Sequence, residues 1–180
     1  MFPDRRGLFL EIFNQPDFAD AVGHPFEMAQ VNCSSSRRGT VRGLHGVAIP
    51  PGQARYATCV RGAIVDIVVD TRIGSPTFGE HVPVRLDDEE RQALYLAEGL
   101  VHGFAPLTDE ATVVYLCSST YDPAASFQID PFDPALACPG RSTASRSCPS
   151  RTGPRRAWPR QPNRGFSPPG RTVRRSARSA

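Results

Sequence analysis

The stretch Arg55-Tyr56-Ala57-Thr58-Cys59-Val60-Arg61-Gly62-Ala63-Ile64-Val65-Asp66-Ile67-Val68-Val69-Asp70 decides the fold. Two β-rich runs, 55–60 and 63–70, flank Arg61-Gly62, a pair that favours a turn over continued pairing. In the second run the odd positions Ala63, Val65, Ile67 and Val69 are all apolar, while the even ones are Ile64, Asp66, Val68 and Asp70. A carboxylate sharing a face with Ile and Val is unexpected in a plain core. Asp66 either points into a polar cavity or lies at a solvated edge.

Working outward, residues 26–33, 39–46, 80–86, 92–97 and 111–118 read as further short strands. Pro50-Pro51-Gly52, Gly74-Ser75-Pro76 and Glu98-Gly99 punctuate them. Only the acidic stretch Asp87–Arg91 invites a helical turn. Many short strands with explicit turns predict an all-β sandwich or barrel.

Charge divides the chain. Residues 1–133 hold all 18 acidic residues and 10 of the 21 basic ones; residues 134–180 hold the other 11 and no acid. Every basic residue is arginine, which with abundant Pro, Ala and Gly suggests a very GC-rich coding sequence. The apolar fraction is 39% and there are 18 prolines, about twice the usual share. Past Asp133 only scattered bulky apolar residues such as Leu136, Trp158, Phe166 and Val173 occur, too few to offset the entropy of ordering. The expected organisation is one domain over 1–136 and a disordered Arg/Pro/Ser-rich tail over 137–180. Without aromatic interleaving or a known module, that tail does not make a nucleic-acid-binding arm, and no nucleic-acid partner is expected.

Cys33, Cys59, Cys117, Cys138 and Cys148 form neither a Cys-x-x-Cys pair nor a Cys/His zinc spacing, and the first three sit in apolar runs. They read as buried free thiols in a reducing cytoplasm. No apolar stretch approaches the roughly 18 residues of a membrane span, so no membrane partner is expected.

Taken singly, His24, His45, His81 and His102 are weak signals, because a lone histidine is more often structural. His45 gains weight at the end of Arg42-Gly43-Leu44-His45, and His102 within Gly99-Leu100-Val101-His102-Gly103-Phe104. A metal site is the first alternative, yet no His-x-His occurs and the position two after His45 is Val47. Serine or cysteine nucleophile motifs and a phosphate-binding glycine loop are absent. Proton transfer remains, with histidine as acceptor and a positioned tyrosine such as Tyr115, in the run Ala111–Leu116, as donor. Tyr115 reads equally well as a core aromatic.

Together these pieces resemble the dTDP-sugar 3,5-epimerase family. The matching segments run from Asp4-Arg5-Arg6-Gly7-Leu8-Phe9-Leu10-Glu11-Ile12-Phe13-Asn14 through Gln30-Val31-Asn32-Cys33-Ser34 and Arg38-Gly39-Thr40-Val41-Arg42-Gly43-Leu44-His45. They continue with Pro50-Pro51-Gly52-Gln53-Ala54, Cys59-Val60-Arg61-Gly62-Ala63 and Asp70-Thr71-Arg72-Ile73-Gly74-Ser75-Pro76-Thr77. Gly99-Leu100-Val101-His102-Gly103-Phe104 and Asp133-Pro134 complete the set, which covers roughly residues 3–137.

The resemblance implies a cupin-type jelly-roll barrel (a double-stranded β-helix), an isomerase without metal or other cofactor, and a homodimer acting on dTDP-4-keto-6-deoxyglucose. It implies His45 as the general base that removes the proton alpha to the C4 ketone, and Tyr115 as the acid on the opposite face. Substrate contacts map onto Arg6, Glu11, Gln30, Asn32, Arg42 and His102. Arg55 stands where the family usually has a lysine that holds the enolate oxygen, and Asp66 joins the substrate-binding set. Whether C3, C5 or both invert is left open.

Three departures stand out. The residue after His45 is Gly46, where the family often has an aromatic one, which predicts a looser pocket. The chain begins at Met1, where relatives carry a preceding segment that adds a strand, so exposed edges are expected. After Asp133-Pro134 the family's Leu-Ser-x-x-Asp segment, whose aspartate orients the histidine, has no counterpart, and residues from about Ala137 read as a shifted frame of a GC-rich gene. The competing reading is a catalytically impaired cupin that binds a dTDP-sugar without turning it over.

Overall fold

The computed structural model describes residues 2–131 together with the pair 155–156. Most of the tail expected to be disordered, and the Asp133-Pro134 motif, lie outside the described residues. A hairpin of β1 (Phe2–Asp4) and β2 (Gly7–Phe9) precedes helix α1 (Gln15–Val22). Then come β3 (Gln30–Arg37), β4 (Arg42–Val47), β5 (Arg55–Arg61), β6 (Ala63–Asp70), β7 (His81–Asp87), β8 (Ala93–Leu96), β9 (Leu100–Pro106), β10 (Glu110–Cys117), β11 (Ser126–Ile129) and the two-residue β12 (Arg155–Arg156).

One sheet has the order β3-β10-β5-β8 and a second the order β12-β11-β4-β9-β6-β7. Pairing is antiparallel except where β12 lies parallel to β11. The Arg61-Gly62 turn carries the chain from β5 in one sheet to β6 in the other. Gly62 has φ +72°, and an added Cβ would collide with the Glu110 carbonyl and the Thr108 hydroxyl. Its N–H donates to the Asp88 carboxylate at 2.8 Å.

The two sheets face each other across an apolar core of Ala57, Cys59, Leu94, Leu96, Ala111 and Val113 from one side and Ile64, Leu86 and Phe104 from the other. The even positions of β6 therefore look inward. The odd positions are not solvated either: Val69 packs with Leu44, Val101 and Ile129 on the outer face of the second sheet, flanked by Ile67 and Phe127.

Helix α1 was not expected, although its punctuation is ordinary: Asn14 accepts from the Asp17 N–H as N-cap, a proline sits in the first turn, and Gly23 closes the helix at φ 95°. It lays Phe18 on the outer face of the first sheet, where Phe13, Phe26, Tyr56 and Tyr95 make edge-to-face contacts with one another or with Phe18. This displaces the strand expected at 26–33. The Gln15 side chain takes both backbone groups of Phe26, at 3.2 and 3.3 Å, so pairing starts only at Gln30. The stretch Asp87–Arg91 makes the single helical turn expected of it: the Arg91 N–H donates to the Asp87 carbonyl at 3.1 Å, and the Asp87 carboxylate caps the N–H groups of Glu89 and Glu90.

Candidate active site

Antiparallel register brings polar residues together at one end of the interior. On the second sheet His45 of β4 lies directly opposite His102 of β9, which in turn faces Val68 of β6. The register slips between Arg42 and His45. At Gly103 the strands approach so closely that a Cβ would meet the Arg42 carbonyl at 2.8 Å. The two imidazoles end with ring centroids 4.8 Å apart.

Nδ1 of His102 lies 2.9 and 3.2 Å from the two oxygens of Asp66. Asp66 is fully buried and His102 is 2% exposed. The solvated-edge reading of Asp66 is thereby excluded. A carboxylate accepts, so the proton of this bond belongs to Nδ1, and Nε2 of His102 is left buried with no hydrogen-bond partner among the described residues.

The first sheet supplies the facing wall. Gln30 and Asn32 of β3 pair across to Cys117 and Tyr115 of β10, which pair in turn to Arg55 and Ala57 of β5. Tyr115 packs against the interior core. Arg55, 5% exposed, donates from Nε to Gln53 at 3.0 Å and from Nη1 to the His45 carbonyl at 3.2 Å, so it bridges the two sheets. Burial pulls the Arg55 guanidinium down from its ordinary value, while the neighbouring Cys117, Tyr115 and Asp66 oppose that shift. Burial likewise pushes the Cys117 thiol up, against Arg55. Gln30 donates to Asn32 at 2.8 Å and accepts the Tyr121 N–H at 2.9 Å, and Asn32 reaches the Cys117 sulfur at 3.6 Å.

Not every expected residue joins this group. Arg42 is exposed and donates to Ser36 Oγ at 2.7 Å and the Ser35 carbonyl at 3.2 Å, tying β4 to β3. Arg6 and Glu11 belong to the N-terminal arm, where Arg6 pairs with Asp4 and Glu11 accepts from Asn14. Gly46 does not loosen the pocket as expected: strand alternation sends it to the outer face, opposite Phe127 and against Val101. Cys33, expected to be buried, is exposed, while Cys59 and Cys117 are buried free thiols. Burial raises the Cys59 thiol to about 11. Gln53 and Cys117 were not singled out as site residues; strand alternation from Arg55 and Tyr115 would have pointed to both.

A partly open cavity of about 410 Å³ lies beside β7 and β8, lined by apolar residues including Val68, Val84 and Leu94 and by the charged Arg85, Asp87 and Glu90. Its walls carry none of the site residues named above, and the polar cluster is the better candidate for chemistry. Among the described residues no three His, Cys, Asp or Glu side chains gather closely enough to hold a metal ion. No helix among them is long and apolar enough to cross a membrane.

The sequence matches the family model described as dTDP-4-dehydrorhamnose 3,5-epimerase over residues 1–147. The chain belongs to that epimerase family. A dTDP-4-dehydrorhamnose 3-epimerase of Streptomyces niveus is 55% identical over 134 residues, covering 74% of this chain and 65% of the relative. The match thus spans somewhat less than two thirds of that relative's length. A 4-keto-6-deoxy sugar epimerase from the novobiocin biosynthetic gene cluster of Streptomyces spheroides superposes with TM-score 0.76 at 52% identity, covering 79% of this chain and 72% of that one. A 3'-monoepimerase from Streptomyces bikiniensis, solved with dTDP-quinovose, gives TM-score 0.78 at 48% identity, covering 83% and 75%. The facing sheets of this epimerase-family chain form the cupin jelly roll that the resemblance implied.

Proposed function

We propose that the protein is an isomerase that epimerises a dTDP-4-keto-6-deoxy sugar at C3, or at C3 and C5, in deoxysugar biosynthesis. The observation that carries this reading is that His45 and Tyr115 come from facing sheets and enter one interior bridged by Arg55. Inversion through an enolate needs a base on one face of the sugar and an acid on the other, with a cation near the oxygen that gathers charge. A sugar ring between the sheets meets that requirement. His45 removes the proton alpha to the ketone, Arg55 supplies the positive charge, and Tyr115 returns a proton from the opposite face. Gln30, Asn32 and His102 line the same interior and serve as substrate contacts, and Arg42 at its margin suits the diphosphate.

The working form is a homodimer in the cytoplasm. Phe2 and Phe9 stack on the N-terminal hairpin with centroids 6.1 Å apart yet are 52% and 65% exposed, an apolar arm that a second copy would cover. Arg6 and Glu11 lie on this arm outside the His45 group and are assigned to the nucleotide in the assembled dimer. Light scattering that finds only monomer would remove this part of the reading.

The deciding experiment is proton NMR of the purified protein with dTDP-4-keto-6-deoxyglucose in deuterium oxide. Loss of the C3 signal, alone or with C5, is the expected result. Retention of both by a folded protein would overturn the assignment.

A further inference from the structure

We propose that Gln53 is a positioning residue of this site: its side-chain amide, itself fixed by Ser119, holds the Arg55 guanidinium in place without neutralising its charge. The proposal rests on the epimerase reading above, in which Arg55 meets the charge that gathers on the ketone oxygen.

A buried cation needs acceptors for its N–H groups, and the chemistry of those acceptors decides how much charge is left for a ligand. Arg55 is 5% exposed. Its Nε donates to Gln53 Oε1 at 3.0 Å and its Nη1 to the His45 carbonyl at 3.2 Å, while Cys117 is its cross-strand partner. An amide oxygen, a peptide carbonyl and a thiol are all neutral. Other arginines of this chain are held differently. Arg6, Arg72 and Arg85 each pair with an aspartate two positions away, at 2.6, 2.8 and 2.8 Å. Arg55 meets a neutral amide at that same spacing. A carboxylate there would also hold the guanidinium, but it would offset the charge that an enolate needs.

Gln53 is fixed in turn. Its Nε2 donates to the Ser119 carbonyl at 2.8 Å and to Ser119 Oγ at 3.3 Å, and Ser119 Oγ donates to the Gly52 carbonyl at 3.4 Å. The two backbones are joined beside it: the Ser118 N–H donates to the Ala54 carbonyl at 3.0 Å, and the Ala54 N–H to Ser118 Oγ at 2.8 Å. With the amide nitrogen taken up at Ser119, the oxygen faces Arg55. The segment that follows the strand of Tyr115 thus orients a cation on β5. The contact is specific to arginine, because in lysine the methylene Cε stands where arginine has Nε.

A double-mutant cycle read by steady-state kinetics with dTDP-4-keto-6-deoxyglucose tests the proposal. Gln53→Met keeps the size and removes the acceptor, so kcat should fall about tenfold or more at a similar KM. In an Arg55→Lys background the same substitution should cost less than about twofold, whereas a merely structural glutamine would cost the same in both. Equal losses in both backgrounds, a loss confined to KM, or no loss in wild type overturns the proposal. Gln53→Glu keeps an acceptor at Nε and adds a negative charge, and its kcat should also fall about tenfold or more. Wild-type kcat in that variant overturns the proposal even where Gln53→Met does not fold. Nitrogen-15 NMR of the Arg55 Nε–H needs no turnover: its exchange with solvent should be slow in the wild type and faster in Gln53→Met. Rapid exchange in the wild type overturns the proposal. A folded wild type that is inactive on the sugar defeats the epimerase reading, while the Nε–H signal still decides whether Gln53 holds Arg55.

Discussion

His45 and His102 are directly opposed across the β4–β9 ladder, with ring centroids 4.8 Å apart on a face that also carries Asp66. The two rings come from strands separated by more than fifty residues. Their juxtaposition follows from antiparallel register, and the properties expected of the site start from it.

His45→Ala should abolish deuterium exchange into the sugar, because the base that removes the proton alpha to the ketone is gone. Tyr115→Phe should keep exchange at C3 while lowering inversion by about 100-fold or more, since the acid on the opposite face is gone. Exchange followed alongside product stereochemistry separates the two steps. Full activity in His45→Ala would refute its role as base.

Arg55 joins Gln53 and the His45 carbonyl through separate guanidinium nitrogens. Lysine is a point charge that cannot reproduce this fork. Arg55→Lys should retain charge near the ketone and lose roughly tenfold in kcat, whereas Arg55→Leu also leaves buried acceptors unpaired and should destabilise the fold by about 1–3 kcal/mol. Thermal melting and steady-state kinetics on both variants check this.

Asp70 ends β6 with Arg72 at 2.8 and 3.0 Å, Ser75 at 2.7 Å and Thr77 at 2.6 Å around its carboxylate. Burial alone would raise this carboxyl, and the hydrogen bonds from Arg72, Thr77 and Ser75 overcome burial and hold it well below the usual carboxylate range. A depressed folded value stabilises the protein above the unfolded carboxyl's pKa of about 3.9 and loses that contribution as the pH falls below it. Asp70→Asn should be less stable than wild type at neutral pH, and the gap should narrow below about pH 4 in chemical denaturation. A gap that stays constant with pH would contradict the assignment.

Gly46 makes room on the outer face, where a Cβ would come within 2.6 Å of Val101 and 3.3 Å of the Phe127 ring. Gly46→Ala should cost about 1–3 kcal/mol through overpacking. Its deuterium exchange per folded molecule should match wild type, because the residue points away from His45. A selective loss of exchange at unchanged stability would put Gly46 in the pocket after all.

Much of the fold was legible. The runs that became β5 and β6 show strand composition and turn residues at their ends, and β6 matches its expected limits, 63–70, residue for residue. Helix α1 was missed because eight residues give little periodicity, though Asn14 and Gly23 were available as caps. Strands β9 and β11 were missed for different reasons: β9 contains Gly103 and ends at Pro106, and β11 has only four residues. The start of β3 was misplaced because Phe26 has a side-chain partner for its backbone, which no local pattern reports.

The sequence by itself determined the strand composition, the turns and the motif residues His45, His102, Tyr115 and Arg55, because these depend on residue type and short spacing. Only the tertiary structure decided which face of β6 looks inward, since both faces are apolar enough to be buried and period-two alternation cannot rank them. The same choice sets Asp66 against His102, 36 positions away in the chain. That bond, and the buried nitrogen on the far side of the ring, arise from register between strands of one sheet, a long-range property that no segment of the sequence contains.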